Sequence, residues 1–268
     1  MIPPPFDIAP ETIRAGLRSR VIGRLLEVVG EIGSTNDRAM AAGHEGASEG
    51  LCVLADRQTA GRGRQGRTWV SAPGLGLYTS VLLRPKATPS SLPLLTLVAG
   101  LAVADAIQEV ADLPPRLKWP NDVLLDGRKV AGILAEVATS GAEVSHVVVG
   151  IGINVNHGAG DFPPVLRETA TSVSLQCGRP IARGMLAPAI FNRMDCWYEL
   201  FCQGQLGQIV EAGRQRSATL GRPVQVLAEA EAWEGLAVDI DPDGALLVQD
   251  EAGALHRVVA GDVSIRNA

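Results

Sequence analysis

A short turn sequence sets the strongest limit on the fold of this 268-residue chain: Asp126-Gly127 stands between two apolar runs, residues 123–125 and 129–138. Asp-Gly pairs favour the tight turn that joins two antiparallel strands. Hairpins mixed with helices predict an α+β fold, in which helices pack on a mixed or antiparallel sheet. The other strand-like runs are 25–32, 51–55, 77–83, 144–149 and 151–155, and the segments with helical spacing are 11–20, 35–42, 92–111 and 186–203.

The C-terminal part of the chain has a different pattern. From about residue 218, short β-rich runs alternate with turn sequences such as Asp241-Pro242-Asp243-Gly244. Five short strands in about 50 residues are typical of a small β-barrel. We therefore predict two domains, residues 1–217 and residues 218–268.

Charge and composition argue against several classes of protein. The net charge is −5, which disfavours a general nucleic-acid binder with a basic face. None of the four cysteines forms a C-x-x-C pair and the four histidines are scattered, so the sequence indicates neither a disulfide framework nor a metal site. Residues 1–10 lack the pattern of a signal peptide, and the most apolar stretch, 94–104, is shorter than the roughly 20 residues that cross a bilayer. These features predict a cytoplasmic protein that is not inserted in a membrane.

A basic loop stands out in this acidic chain. Residues 61–67 read G-R-G-R-Q-G-R, lie between two strand-like runs and are followed by Trp69. Glycine allows the backbone to approach a ligand closely, and each arginine carries a fork of donors that suits a carboxylate or a phosphate. A solvated surface loop and an RNA-binding segment are the alternative interpretations. The position between strands favours an anion site that becomes ordered when it is filled. The loop is not a P-loop, because it lacks the Lys-Ser/Thr pair.

Three further motifs combine polar groups with turns. K-W-P-N-D at 118–122 is a turn into the hairpin, from which Lys118 could also direct its ammonium into a site. G-I-G-I-N-V at 150–155 lacks the third glycine of a dinucleotide fingerprint, which favours close backbone approach to a ligand, with Asn154 as a polar contact. S-T-N-D at 34–37 resembles a capping box between Ser34 and Asp37, and its hydroxyl and amide groups could also bind a polar ligand.

Together these motifs resemble the biotin protein ligase family. Their order from residue 34 to residue 155 is S-T-N, Q-T-x-G-R-G-R-x-G-R-x-W, K-W-P-N-D, K-x-A-G-I-L-x-E and G-I-G-I-N-V. The resemblance implies a class II aminoacyl-tRNA synthetase-like catalytic domain followed by an SH3-like β-barrel. It also implies a two-step reaction, in which the biotin carboxylate attacks the α-phosphate of ATP to give biotinyl-5′-AMP and pyrophosphate, and a lysine of a carrier protein then attacks this adenylate. The implied partner is the biotin carboxyl carrier protein of acetyl-CoA carboxylase, and Mg²⁺ would arrive with the nucleotide.

The resemblance also assigns the site. Two anions about 4 Å apart repel by about 4 kcal/mol at an effective dielectric near 20, so nearby cations would ease the first step. The catalytic residues implied are Lys118, Arg62 and Arg64. The biotin-binding residues implied are Ser34, Thr35, Asn36, Gln58, Gly61, Arg62, Gly63, Arg64, Lys118, Gly150 and Gly152. The ATP-binding residues implied are Arg67, Trp69, Asn121 and Asn154.

Some alternatives and partners stay open at this point. A lipoate ligase would share the fold and the adenylation chemistry, and a non-catalytic nucleotide or nucleic-acid binder would use the same basic loop. Some members of the family carry an N-terminal helix-turn-helix and act as repressors. Only 33 residues precede Ser34, so we expect neither DNA binding nor regulator activity. Homodimerisation is compatible with the sequence.

Overall fold

The computed structural model describes residues 7–141, 143–227, 232–259 and 261–265. Its larger domain is built on a seven-stranded sheet with the strand order β1-β2-β3-β7-β6-β5-β4. Only β1 and β2 are parallel, and every other pair is antiparallel. The predicted α+β class with a mixed sheet is therefore confirmed. The strands are β1 (Leu25–Ile32), β2 (Leu51–Gln58), β3 (Gly76–Leu83), β4 (Arg116–Lys118), β5 (Asp122–Leu125), β6 (Arg128–Ser140) and β7 (Glu143–Asn154).

Helices cover both faces of this sheet. The helices are α1 (Pro10–Gly16), α2 (Thr35–His44), α3 (Leu94–Ala111), α4 (Val173–Cys177), α5 (Arg183–Cys202) and α6 (Leu206–Arg216). Alternate residues along a strand point to opposite faces. Accordingly, Val53, Leu82 and Val148 pack under α2, while Cys52, Leu83 and Val149 face the main core with α3 and α5.

The central helix α3 is apolar over most of its surface, although Gln108 and Glu109 near its C-terminus are exposed. By length and hydropathy, residues 89–111 resemble a membrane span, but 72% of the most apolar window is buried inside the protein. The helix contacts α5 and the strands β4 to β7. A helix that is hydrophobic around its whole circumference suits the interior of a protein. We therefore assign α3 as the core helix of the larger domain.

The predicted hairpin is confirmed, and two other elements differ from their predictions. Asp126 and Gly127 both have positive φ, as a tight turn between β5 and β6 requires. The two strands predicted at 144–149 and 151–155 are one strand, β7, which ends at Asn154. Helix α1 ends at Gly16 rather than near residue 20, because the backbone N–H groups that follow donate to side chains of α5 instead. Arg18 and Ser19 donate to Asn192 Oδ1, and residues 20–22 donate to the carboxylate of Asp195.

The smaller domain is an antiparallel five-stranded sheet with the order β11-β10-β9-β8-β12. Over the described part of this domain, β11 and β12 do not pair, so the ladder is not closed into a barrel, although the arrangement is consistent with an SH3-like domain. The predicted division after residue 217 stays a prediction and falls between α6 and β8. The strands are β8 (Pro223–Leu227), β9 (Ala232–Ile240), β10 (Leu246–Gln249), β11 (Leu255–Val258) and β12 (Asp262–Ile265).

Hydrogen bonds fasten the two domains to each other beside the K-W-P-N-D turn. The buried Trp119 donates its indole N–H to the Gly244 carbonyl at 3.0 Å and its backbone N–H to Thr219 Oγ1 at 3.0 Å. Arg214 of α6 forms an ion pair with Asp239 of β9 at 2.7 Å. These contacts fix the smaller domain against one end of the large sheet, next to Lys118.

Candidate active site

A cleft of about 800 Å³ lies on the α2 face of the large sheet and reaches the smaller domain. The basic loop of residues 61–67, called the Gly/Arg loop below, forms one wall, and the chain between β7 and α4 forms another. Every side chain or glycine that the sequence assigned to the site lines this cleft, except Gly61. Gly61 is instead packed against Trp69, whose backbone N–H donates to the Gly61 carbonyl at 2.9 Å. The sequence therefore identified a set of residues that the fold brings together, while their individual roles stay predictions.

One end of the cleft is a cluster of hydroxyl and amide groups where α2 begins. Gln58 Oε1 accepts from the Thr35 backbone N–H at 2.8 Å and from Thr35 Oγ1 at 3.0 Å. The predicted capping box between Ser34 and Asp37 is wrong, because the Ser34 side chain makes no capping hydrogen bond. Gln58, at the end of β2, instead accepts from the first backbone N–H of α2, that of Thr35.

The hydroxyl groups in this cluster have too few hydrogens for their contacts. Ser80 Oγ lies 2.7 Å from Thr35 Oγ1 and 2.6 Å from Asn36 Oδ1, and Thr35 Oγ1 lies 3.0 Å from Gln58 Oε1. Each hydroxyl carries one hydrogen, so the two hydroxyls can complete only two of these three contacts. A buried acceptor without a donor costs free energy. A ligand with N–H groups would supply what the cluster lacks.

Asn36 connects this cluster to the Gly/Arg loop through Glu136. The Asn36 amide donates from Nδ2 to Glu136 Oε2 at 2.6 Å and to the Leu134 carbonyl at 3.3 Å. Arg62 Nη2 donates to the two Glu136 oxygens at 3.1 and 3.2 Å. Arg62 Nη1 also lies 2.7 Å from an Asp37 oxygen. The hydrogen bond to Asp37 is the largest cause that raises the pKa of Arg62, and the charge of Glu136 adds to it.

The Gly/Arg loop itself is a tight hairpin that bends over the cleft. Gly63 N–H donates to the Arg67 carbonyl at 2.7 Å, and Gln65 and Gly66 both have positive φ at the bend. Arg64 reaches away from the bend, with one guanidinium nitrogen 3.4 Å from Asn121 Oδ1 and another 3.3 Å from the Gly261 carbonyl of the smaller domain. The loop thus touches α2, the K-W-P-N-D turn and the smaller domain.

Two glycines of β7 provide the space for two side chains of the site. A β-carbon at Gly150 would meet Asn36 Oδ1 well inside contact distance and Asn36 Cγ at 2.8 Å. A β-carbon at Gly152 would lie 2.5 Å from Trp69 Cε2 and 2.7 Å from Trp69 Nε1. The G-I-G sequence was expected to allow close approach of a ligand to the backbone. In the structure it allows close approach of the Asn36 amide and the Trp69 indole, which stand between the strand and the cleft.

Cations and an indole form the other part of the cleft. The Trp69 Nε1–H is buried without a hydrogen-bond partner among the described residues. Lys129 Nζ lies 5.4 Å from the Trp69 ring centre and 2.5 Å from Asp122 Oδ1. Lys118 also lines the cleft, and it forms no ion pair with any residue that the structure describes. Its ammonium is therefore available to an anionic ligand.

The two predicted asparagines hold the walls of the cleft. Asn121 donates from Nδ2 to the Ile133 carbonyl at 2.9 Å and accepts from the Ile133 N–H on its backbone carbonyl at 3.0 Å. Asn154 donates from Nδ2 to the Thr171 carbonyl at 3.1 Å. Each side chain therefore lines the cleft and also stabilises the neighbouring backbone by a hydrogen bond to a carbonyl group.

The sequence did not assign several residues that the structure places at the site. Lys129 and Glu136 belong to the K-x-A-G-I-L-x-E motif, so the motif held a signal for them. Ser80 lies inside an apolar strand and gave no local signal. His157 stacks on Phe162 with ring centres 5.3 Å apart, and burial lowers its pKa to about 4, so the ring is neutral at pH 7. Within the described ranges, no group of three His, Cys, Asp or Glu side chains could hold a metal ion.

The geometry first defines a class of protein: a domain that holds small molecules in a cleft with a hydrogen-bonding end and a cationic end. Comparisons with known proteins make this specific. Residues 31–154 match the Biotin/lipoate A/B protein ligase family, and residues 219–266 match the Biotin protein ligase C terminal domain.

Individual relatives agree with these matches. The biotin–[acetyl-CoA-carboxylase] ligase of Mycobacterium tuberculosis is 35% identical over 271 residues, covering 97% of this chain and 96% of that protein. The bifunctional ligase/repressor BirA of Bacillus subtilis is 34% identical over 265 residues, covering 99% of this chain and 81% of that protein. The biotin protein ligase of Aquifex aeolicus, solved with biotin and ATP, has a TM-score of 0.80 at 33% identity, covering 91% of this chain and 100% of that one. The chain belongs to the biotin protein ligase family, whose members are enzymes.

Proposed function

We propose that this protein is an ATP-dependent biotin protein ligase. It activates biotin to biotinyl-5′-AMP with release of pyrophosphate, and it then transfers biotin to a lysine of a carrier protein with release of AMP. The observation that carries this proposal is the hydroxyl and amide cluster at one end of a cleft whose other end holds Lys118, a lysine without an ion-pair partner in the described part of the chain.

The cluster of Thr35, Asn36, Gln58 and Ser80 suits the ureido ring of biotin. This ring presents two N–H donors and one carbonyl acceptor, and its donors would supply the hydrogen that the hydroxyl groups lack. The dithiolane of lipoate has no N–H group and would leave the same acceptors unpaired. A site built to hydrogen-bond its substrate rejects analogues that lack the matching group by large factors. This argument favours biotin over lipoate.

Lys118 is the cation best placed to assist the attack of one anion on another. Arg62 already shares its charge with Asp37 and Glu136, and Arg64 donates to neutral oxygens. Lys118 has no such partner among the described residues. In this proposal the Lys118 ammonium offsets the repulsion between the biotin carboxylate and the α-phosphate, and Arg62 and Arg64 hold the loop over the adenylate. A closed loop would keep water from the reactive anhydride.

The nucleotide occupies the part of the cleft beside Trp69 and Lys129. The indole offers a flat surface and an N–H that no described residue accepts, and the ammonium and Arg67 offer positive charge. Mg²⁺ binds its protein sites through few carboxylates and keeps much of its water and phosphate coordination. It therefore fits as a companion of the triphosphate, without a cage of protein ligands.

The direct test is incubation of the purified protein with ATP and either biotin or lipoate, followed by mass spectrometry of the small-molecule products. We expect biotinyl-AMP and pyrophosphate, and labelled lysine after a carrier domain is added. Lipoyl-AMP without biotinyl-AMP would replace this function by that of a lipoate ligase. Salt-sensitive nucleic-acid binding without pyrophosphate release would identify a non-catalytic binder instead.

The role of Lys118 is tested by Lys118→Met in the same assay. We expect a strongly reduced pyrophosphate burst at an unchanged melting temperature, because the variant keeps the aliphatic part of the side chain and loses only the charge. A normal burst would contradict the role assigned to Lys118.

The partners beyond biotin and ATP are part of this proposal. The carrier is a biotin carboxyl carrier protein or domain, and the protein acts in the cytoplasm. Homodimerisation and the absence of DNA binding also stay predictions. Analytical ultracentrifugation with and without biotin and a gel-shift assay with biotin and ATP would measure them.

A further inference from the structure

We propose that Glu136 is a positioning residue that couples occupancy of the biotin head site to closure of the Gly/Arg loop. This inference rests on the proposed function, because it takes the cluster around Asn36 as the place where the ureido ring binds. The two claims are separated by the experiment below.

Glu136 is the carboxylate shared by the head site and the loop. Its Oε2 accepts from Asn36 Nδ2 at 2.6 Å, and both of its oxygens accept from Arg62 Nη2 at 3.1 and 3.2 Å. It lies on β6 two residues beyond Leu134, whose partner in the sheet is Gly150, directly below the Asn36 amide. The rigid sheet therefore holds the carboxylate between the two groups.

The first half of the link sets the orientation of the Asn36 amide. An ionised carboxylate only accepts hydrogen bonds, so Glu136 can face the Nδ2 end of this amide but not its oxygen. Oδ1 is thereby turned toward Ser80, 2.6 Å away, and keeps a second lone pair for a ligand. A ureido N–H that donates to Oδ1 would strengthen the hydrogen bond from Nδ2 to Glu136, since linked hydrogen bonds polarise each other.

The second half of the link fixes Arg62 of the loop. Glu136 and Asp37 hold opposite nitrogens of the same guanidinium. Of these two carboxylates, only Glu136 also accepts a hydrogen bond from the Asn36 side chain. A ligand that fixes Asn36 and Glu136 fixes Arg62 as well, and by linkage a closed loop raises the affinity for the ligand by the same factor. Asp37 contributes to the loop position without this connection, which makes it a matched control.

The experiment compares Glu136→Gln with Asp37→Asn in the full-length protein. Each variant removes one negative charge from Arg62, but only the first changes a partner of Asn36. Limited proteolysis with trypsin reports loop opening, because the loop contains three arginines. The measured quantity is the ratio of cleavage rates within residues 61–67 without and with biotin, and calorimetry gives the biotin Kd of each protein.

In the wild type we expect biotin to slow cleavage about tenfold, within the usual range of coupling between two sites. Asp37→Asn should raise the cleavage rate both without and with biotin, and the ratio of the two rates should stay as in the wild type. Glu136→Gln should bring the ratio close to one and weaken biotin binding about tenfold. Arg62→Gln tests the other end of the link, and trypsin can still cut its loop after the two remaining arginines. We expect biotin to give little protection in this variant, so that the ratio of cleavage rates is close to one. If Glu136→Gln does not fold, the Arg62→Gln variant tests the inference in its place.

A wild-type ratio in Glu136→Gln or Arg62→Gln would overturn the inference, and so would an equal loss of the ratio in Asp37→Asn. Biotin binding without any protection of the wild-type loop would also overturn it, while the proposed function would stand. Failure of the wild type to bind biotin or to form biotinyl-AMP would overturn the proposed function itself.

Discussion

Gly150 and Gly152 of β7 allow the proposed biotin and nucleotide sides of the cleft to be perturbed separately. In Gly150→Ala the new methyl group would stand where the Asn36 amide now lies, and in Gly152→Ala it would stand where the Trp69 indole lies. Real β-carbon contacts are very rarely closer than 3.0 Å. Each side chain must therefore move by several tenths of an ångström or more, and each belongs to a different end of the site.

The cost of this movement differs between the two variants. The Asn36 amide can move only by losing its hydrogen bonds to the Glu136 carboxylate and to Ser80. A hydrogen bond to a charged group contributes about 1.5 to 3 kcal/mol and a neutral one about 1 kcal/mol, so the loss of both lowers the free energy of unfolding by about 2 to 4 kcal/mol. The Trp69 indole N–H has no partner to lose among the described residues, and the contact of the ring with Lys129 is worth about 0.5 to 1 kcal/mol.

Steady-state pyrophosphate release, measured against biotin and against ATP, tests this reasoning. For Gly150→Ala we expect the KM for biotin to rise about fivefold, because the displaced Asn36 amide loses a hydrogen bond to the ureido ring worth about 1 kcal/mol, with a much smaller change for ATP. For Gly152→Ala we expect the larger change in the KM for ATP. Gly33→Ala is the control, because it adds the same methyl group next to Ser34 and meets no atom within 4 Å. Equal effects of Gly150→Ala and Gly152→Ala on both substrates would refute the argument, provided that thermal melts show both variants folded.

Three further predictions concern other parts of the structure. Arg64→Ala removes a charge-assisted contact worth about 1.5 to 3 kcal/mol, so we expect biotinyl-AMP to leak about 10-fold to 100-fold faster in a filter assay, and an unchanged rate would contradict its role. Arg183 is 1% exposed and pairs with Asp7 and Asp56, each at 2.7 Å. Arg183→Met should lower the free energy of unfolding in urea by about 3 to 5 kcal/mol, because it leaves two carboxylates unpaired, and a loss below about 1 kcal/mol would be inconsistent with that network. His157 has its pKa lowered to about 4 by burial, so below pH 6.5 the unfolded chain binds a proton that the folded chain does not. Stability should therefore fall by about 2 to 3 kcal/mol more in the wild type than in His157→Gln between pH 7.5 and 4.5, and parallel losses in both proteins would show that His157 is not responsible.

Local sequence rules predicted the larger elements well. The hairpin around Asp126-Gly127 follows from the positive φ that its turn requires, and α5 follows from the spacing of Leu186, Ile190 and Met194, which are all buried. The shorter elements were missed where their stability comes from distant residues. Strand β4 is three residues long and exists because β5 pairs with it, and the helix predicted for residues 11–20 is cut short by side chains of α5.

The candidate site shows the same division. The amino-acid sequence by itself determined which chemical groups the protein has for its reaction, because glycines, arginines, amides and a lysine at fixed spacing depend only on the order of residues. The tertiary structure decided how those groups are shared: Gln58 caps the first N–H of α2, Ser80 joins the hydroxyl cluster, and Glu136 connects Asn36 to Arg62. Such contacts span tens of residues along the chain and arise only when the sheet brings its strands into register, which no local pattern encodes.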